Sequence, residues 1–350
     1  MSAQSQVQPK TADARQRMSQ RLTAIGIDHH IDQVPTLRSF DANEIGLQGI
    51  GMSGLQVWQP TWALDALVSV KSQQLIHDQD VMRQLLAWYI TQARALTIEG
   101  PTGCGKTEAA AAFVAALGQP YLLAECHPET TLPDLIGYQT LDGFVWGPVG
   151  LAAVLGLTVV MSEDNLLDGA VKAALNNTID GAPIYVPRLK KAFEVAQTFR
   201  MISTRNPRGF GMQGRRADDS SALRRQTWIV MDYPSREREE QILTAHAQVL
   251  TQRYGTVHQE ALGRLIPVCL AVAHDTREAA TGAKGTSVLP RALDLGTARK
   301  WLTQFVSNRM LGVDQPFTSA LSAVYGSSLG PDHHQAVLTF LRSRHADRTA

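Results

Sequence analysis

Between residues 94 and 233 the chain alternates short, nearly unbroken apolar runs with stretches of helical spacing. The runs are RALTIEG (94–100), PYLLAEC (120–126), LTVVMSE (157–163), FRMISTRN (199–206) and TWIVMDY (227–233). Runs this short and this uniformly apolar suit strands covered on both faces, as in a parallel sheet. Among them, TEAAAAFVAALG (107–118) is alanine-rich and therefore helical, stopped by Gly118 and Pro120. DGAVKAALNNTID (168–180) is a second helical stretch. HDQDVMRQLLAWYITQ (77–92), with Val81, Leu85, Leu86 and Tyr89 at helical spacing, precedes the first run. Strand–helix alternation predicts a three-layer α/β domain with a mostly parallel sheet. After Pro234 the patterns SREREEQILTAHAQVL, VHQEALGRLIPVCLAVAHDT, PRALDLGTARKWLTQFVSNRM and DHHQAVLTFLRSRH are all helical. The expected organisation is an α/β domain over 80–234 and an all-α domain over 235–345.

Residues 1–35, rich in Gln, Ser, Ala and charge, predict a mobile arm. Residues 36–79 carry Gly46, Gly49, Gly51 and Gly54 with Trp58 and Trp62 and predict an ordered but irregular segment. An apolar fraction of 44% over 350 residues supplies ample buried core and excludes global disorder. Lys+Arg number 33 against Asp+Glu 32, so there is no strong nucleic-acid signal of the kind that runs on bulk positive charge. The three cysteines, Cys104, Cys126 and Cys269, are odd in number and widely spaced. They form neither a disulfide framework nor a metal knuckle, and a reducing compartment fits them best. The most apolar stretch, Gly150–Met161, is too short to span a bilayer, and the N-terminus has no apolar core of a secretory signal. A cytoplasmic protein without a membrane partner is expected.

The sharpest chemical signal is GPTGCGKT, Gly100, Pro101, Thr102, Gly103, Cys104, Gly105, Lys106 and Thr107, set between a strand and a helix. Its glycines let the backbone wrap so that N–H groups face phosphate oxygens. The following helix adds the positive end of its dipole. Lys106 is placed to meet the β- and γ-phosphates of a nucleotide, and Thr107 to offer its hydroxyl to Mg²⁺. ATP and Mg²⁺ are the expected cofactors. Cys104, inside the loop, reads as a small filler.

From this loop onward the sequence resembles the MoxR branch of AAA+ ATPases. The resemblance rests on the loop, CHPETTLPDLIGYQTL (126–141), VKAALNNTIDG (171–181), FRMISTRNPRGFGMQGRR (199–216), SSALRR (220–225) and DYPSREREEQIL (232–243), and covers about 80 to 340. Within the branch it is similar to the Rubisco activators, the nitric-oxide-reductase activators and the AAA+ subunit of cobaltochelatase. The resemblance implies a P-loop AAA+ domain followed by a helical lid. It also implies a homo-oligomeric ring, usually hexameric, that hydrolyses ATP and remodels a partner protein, in many members one bearing a von Willebrand factor A domain. Carried over by position, Glu163 polarises the attacking water and Asn206 is sensor 1. Arg291 is sensor 2, in the first turn of a helix behind a proline. Arg225, or else Arg224, is the arginine finger offered to a neighbouring copy. GYQTLDGFVWGPVG (137–150) and APIYVPRLKKAFEV (182–195) resemble the branch's two inserted hairpins, which face the pore or the partner; ordinary packed hairpins are the alternative.

The chain departs from the family pattern at the end of the third strand, where an Asp-Glu pair is usual. The run VVMSEDN puts Ser162 at the metal-side position, with Asp164 following Glu163. Serine carries no charge, so Mg²⁺ loses support from the second coordination shell and hydrolysis is expected to be slow. A shifted register, with Glu163 on the metal side and Asp164 as the base, is the alternative. At the level of function the alternatives are a nucleotide-gated scaffold with weak turnover and the ATPase subunit of a metal chelatase.

Overall fold

The computed structural model describes residues 37–41, 53–58, 78–141, 143–187, 190–207, 224–281 and 289–346. The arm expected over 1–35 lies outside them. Elements are numbered in chain order. β1 (Leu37–Asp41) and β2 (Ser53–Trp58) pair antiparallel, with a register shift at Phe40/Asp41. The segment expected to be irregular over 36–79 thus contains a strand pair. Gly54, read as irregularity, lies within β2.

The described residues divide into two compact units. One runs to Met231; the other begins at Asp232 and takes in the loop residues Thr102–Cys104. In the first unit α1 (Gln79–Ile90) leads into β3 (Ala95–Glu99) and α2 (Lys106–Ala116). Asp78 caps α1 by accepting from the Asp80 amide at 2.7 Å. β4 (Tyr121–Glu125) and α3 (Leu132–Ile136) follow. Next come β5 (Gly137–Gln139), β6 (Phe144–Trp146), α4 (Pro148–Leu155), β7 (Thr158–Ser162) and α5 (Gly169–Asp180). β8 (Ile184–Val186), β9 (Lys191–Phe193), β10 (Arg200–Arg205) and β11 (Gln226–Val230) complete the unit.

The main sheet has five strands in the order β11-β3-β10-β7-β4, every neighbour parallel. Its central strands are buried on both faces, as the unbroken apolar runs predict: Leu96, Ile98, Val159, Val160 and Ile202 are fully covered. The two edge strands depart from that expectation. Leu123 on β4 is 47% exposed and Val230 on β11 is 77% exposed. An apolar run reports a strand, but not whether a neighbour covers its outer side. In α2, the alanines from Ala109 to Ala112 and Ala115 are all buried. Small side chains let this helix bury most of its circumference.

Both expected hairpins form, β5 with β6 between α3 and α4, and β8 with β9. Phe144 meets Trp146 edge-on at 4.9 Å, and Trp146 meets Phe193 of the other hairpin at 5.1 Å. One face therefore joins the two hairpins over Val154, Val186 and Ile184. Tyr138, Val145 and Tyr185 are exposed.

The second unit is helical among its described residues: α6 (Arg236–Tyr254), α7 (Gln259–Thr281), α8 (Leu295–Met310), α9 (Pro316–Val324) and α10 (Pro331–Ala346). The short α9 was not legible as a separate element. α8 begins at Leu295, where the Asp294 carboxylate accepts from the Thr297 amide at 2.7 Å. Arg291 therefore precedes the helix rather than standing in its first turn, because the aspartate cap outcompetes Pro290 as the starting signal. Trp301 centres the core. It is fully buried, stacks on Phe317 at 4.4 Å and donates its indole N–H to the Phe317 carbonyl at 2.9 Å.

Replacing that side chain leaves a large cavity and an unpaired carbonyl. Trp301→Ala is expected to cost the helical unit about 3–5 kcal/mol. Urea unfolding followed by far-UV circular dichroism reads this out, and a loss below about 1 kcal/mol, the size of an ordinary surface change, would contradict this packing.

Candidate functional site

Parallel pairing brings the ends of β3, β10 and β7 to one edge of the sheet, and the expected site residues of the first unit assemble there. The Gly100 amide donates to the Arg205 carbonyl at 3.1 Å, which ties the start of the loop to the end of β10. Gly103 and Gly105 have φ of +78° and +94°, the left-handed region that glycine adopts without a Cβ penalty. The wrapped loop read from the sequence is therefore present. Gly105 caps α2 with no side-chain hydrogen bond, so no side chain of the cap competes for the first amides of the helix.

Lys106 is buried, and its ammonium donates to the Gly100 carbonyl at 2.9 Å, the Pro101 carbonyl at 2.8 Å and the Asn206 Oδ1 at 2.8 Å. Asn206 in turn donates from Nδ2 to Glu163 Oε1 at 2.5 Å. A continuous chain of hydrogen bonds runs from the loop lysine through the residue expected as sensor 1 to the expected base. Glu163 holds φ +57° and ψ +43°, left-handed for a residue with a Cβ. Such a conformation costs about 1–3 kcal/mol and persists only where its surroundings impose it.

A buried ion pair directly follows it in the chain. Arg205 grips Asp164 through two hydrogen bonds, Nε at 2.9 Å and Nη2 at 2.7 Å, with the two side chains only 5% and 6% exposed. The guanidinium also lies over the Trp228 ring, 4.8 Å from its centre. Asn165 adds a bond from Nδ2 to the Asn206 carbonyl at 3.4 Å. Asp164 is thus bonded to Arg205, while Glu163 is bonded to Asn206 and through it linked to Lys106. The two adjacent acids therefore have different partners. The ion pair was missed in the sequence. Its signal was an arginine inside the apolar run FRMISTRN, since a guanidinium in a covered strand requires a buried partner.

Thr107 lies 3.2 Å from Thr204, hydroxyl to hydroxyl. Thr204 pairs in register with Ser162, which occupies the last position of β7. The loop, Lys106, Thr107, Ser162, Glu163 and Asn206 therefore come together. Arg225 and Arg224 do not join them. Arg225 immediately precedes β11, at the opposite edge of the sheet from the loop, and its Nε bonds both oxygens of Asp180 at 2.8 and 3.0 Å. Arg224, beside it, is exposed. Arg291 belongs to the second unit, where it donates to the Ser328 hydroxyl at 2.6 Å and lies 4.9 Å from the Tyr325 ring centre.

All three cysteines are free and buried. Cys104 fits its expected role as a small filler. Burial, followed by the charges of Asp164 and Glu163, pushes the Cys126 thiol up to about 12.

Residues 95–226 match the family AAA domain (dynein-related subfamily). The chain is 31% identical over 153 residues to protein NorQ of Paracoccus denitrificans, covering 42% of this chain and 55% of that one. It is 30% identical over 166 residues to protein CbbQ of Hydrogenophilus thermoluteolus, covering 44% and 59%. A match to midasin of Dictyostelium discoideum is 30% identical over 182 residues, 49% of this chain and 3% of that protein. The chain thus spans little more than half the length of the two bacterial relatives.

Two ion pairs of the first unit, one buried and one solvated, predict unequal stability effects. Asp164→Asn strands a buried guanidinium and is expected to cost about 3–5 kcal/mol. Asp180→Asn, whose pair with Arg225 is 49% and 34% exposed, breaks a solvated contact and is expected to cost about 0–1 kcal/mol. Equal shifts in the denaturant midpoint would contradict the buried bracing role of Asp164.

Proposed function

We propose that this chain, whose residues 95–226 carry an AAA domain of the dynein-related kind with distant similarity to NorQ and CbbQ, binds ATP with Mg²⁺ and hydrolyses it. The observation that carries this reading is the hydrogen-bonded chain Lys106–Asn206–Glu163 at the end of a wrapped glycine loop. The residues present fit the ligands. The loop glycines adopt left-handed geometry, the first amides of α2 have no competing side-chain cap, and a buried ammonium and a threonine hydroxyl stand where phosphate and metal are expected.

In this reading the loop amides and Lys106 hold the phosphates, and Thr107 and the Ser162 side of the sheet hold the metal. Mg²⁺, when bound, neutralises charge on the phosphate oxygens. Asn206 positions a water and Glu163 polarises it by accepting its proton. The water oxygen bonds to the γ-phosphorus while the bond to the β–γ bridging oxygen breaks, giving ADP and phosphate. The hydrogen bond between Asn206 and Glu163 aims both groups from adjacent strands at one point.

The wider proposal is that residues 80–234 form the nucleotide-binding domain and residues 235–345 the lid that supplies Arg291. Copies of the chain then assemble into a ring, expected to be hexameric, that remodels or activates a partner protein. Arg225 or Arg224 acts on the neighbouring copy's nucleotide. The ion pair with Asp180 engages Arg225, and exposure favours Arg224 as the readier donor. Ser162 supports one second reading, a nucleotide-gated scaffold with weak turnover, because the metal side of β7 ends in an uncharged group.

Lys106→Ala removes a charge-assisted contact worth about 1.5–3 kcal/mol, so ATP affinity is expected to fall roughly 10- to 100-fold. Unchanged affinity by calorimetry would refute the nucleotide site. Glu163→Gln keeps the hydrogen-bonding shape but removes the base. It is expected to retain nucleotide binding and lose about 10²–10⁴ in hydrolysis rate. If Asp164→Asn, still folded and able to bind ATP, abolished hydrolysis while Glu163→Gln did not, the shifted register would be correct.

A further inference from the structure

We propose that Glu125 supplies the metal-side carboxylate that Ser162 lacks; this rests on the nucleotide-site reading above. Ile98, Thr204, Ser162 and Glu125 are partners in register across β3, β10, β7 and β4. Side chains alternate between faces along a strand, so residues paired in a parallel register share one face. The contact between the Thr204 and Thr107 hydroxyls identifies that face as the one carrying the phosphate loop and α2. Ser162 and Glu125 therefore project on the same side as the hydroxyl expected to meet the metal.

Neighbouring strands are about 4.8 Å apart, so the Glu125 backbone stands one strand spacing beyond that of Ser162. A glutamate side chain is one methylene longer than an aspartate, and a serine is shorter than either. Mg²⁺ retains much of its water shell, so a carboxylate acting through bound water needs no direct reach to the ion.

The two acids that follow β7 are engaged, Glu163 with Asn206 and Asp164 with Arg205. The Glu125 side chain is exposed and, among the described residues, has no hydrogen-bond or ion-pair partner. Its alternative role is that of a solvated acid on an edge strand, where charge deters pairing with another sheet. A solvated acid has no bearing on metal affinity, which separates the two roles. The charge absent from the end of β7 is thereby restored from the adjoining edge strand, making Glu125 a metal-positioning residue.

The test uses the full chain with Mn²⁺ in place of Mg²⁺ and a non-hydrolysable ATP analogue, free Mn²⁺ being read by electron paramagnetic resonance. Nucleotide binding is measured separately in EDTA. Glu125→Gln is expected to weaken Mn²⁺ binding to the nucleotide-bound protein about 10- to 100-fold, the usual effect of losing a second-shell partner. Metal-free nucleotide affinity and the urea midpoint should stay unchanged. Adding Ser162→Asp to the Glu125→Gln chain is expected to restore Mn²⁺ binding. Normal nucleotide binding with Mn²⁺ affinity within about twofold of the unmodified chain, against that 10- to 100-fold expectation, would overturn the role of Glu125 alone. No nucleotide binding by the unmodified chain in EDTA or with Mn²⁺ would overturn the underlying site, and this proposal with it.

Discussion

A buried ion pair between Arg205 and Asp164 holds the ends of β10 and β7 together, and the geometry of the candidate site follows from it. Glu163 immediately precedes Asp164, and Asn206 immediately follows Arg205. Fixing the charged pair brings the flanking pair within hydrogen-bond distance of each other. Trp228, under the guanidinium, extends the brace to β11. Desolvating two charges offsets much of their attraction, so such a pair adds little net stability over an apolar substitute. In this chain it ties the end of β10 to the residues just after β7.

The same edge carries three residues of positive φ. Gly103, Gly105 and Glu163 all have positive φ, and all lie where the strands β3 and β7 give way to loops. The two glycines adopt this geometry without steric penalty. Glu163 does not, and it needs the bonds of its neighbours to remain there. A local strain opposed by a buried ion pair is consistent with a group held in one orientation for chemistry. Asp164 and Glu163, adjacent and both acidic, have different partners.

Much of this was legible in the residues. Unbroken apolar runs located every strand of the main sheet, and the glycine loop located one end of the site. What the runs could not show was position within the sheet. β4 and β11 are as apolar as their neighbours yet lie at the edges, because strand order depends on crossover connections rather than on local pattern. The roles of Asp164 and Glu125 were hidden for a related reason. Each depends on a residue distant in sequence, Arg205 in one case and Ser162 in the other, that only the parallel register brings alongside. Arg291 was misplaced by weighing Pro290 above Asp294, since either can open a helix and only the hydrogen bond to Thr297 decides between them.

The account stands or falls on where the phosphates and the base meet. The most direct measurement is an experimental structure of the chain with Mg²⁺, ADP and beryllium fluoride. The account predicts the fluoride group against the Lys106 ammonium, with Asn206 and Glu163 facing it and Asp164 still bonded to Arg205. A structure in which Asp164 had left Arg205 to face the fluoride group, or in which the nucleotide bound away from Lys106, would contradict it.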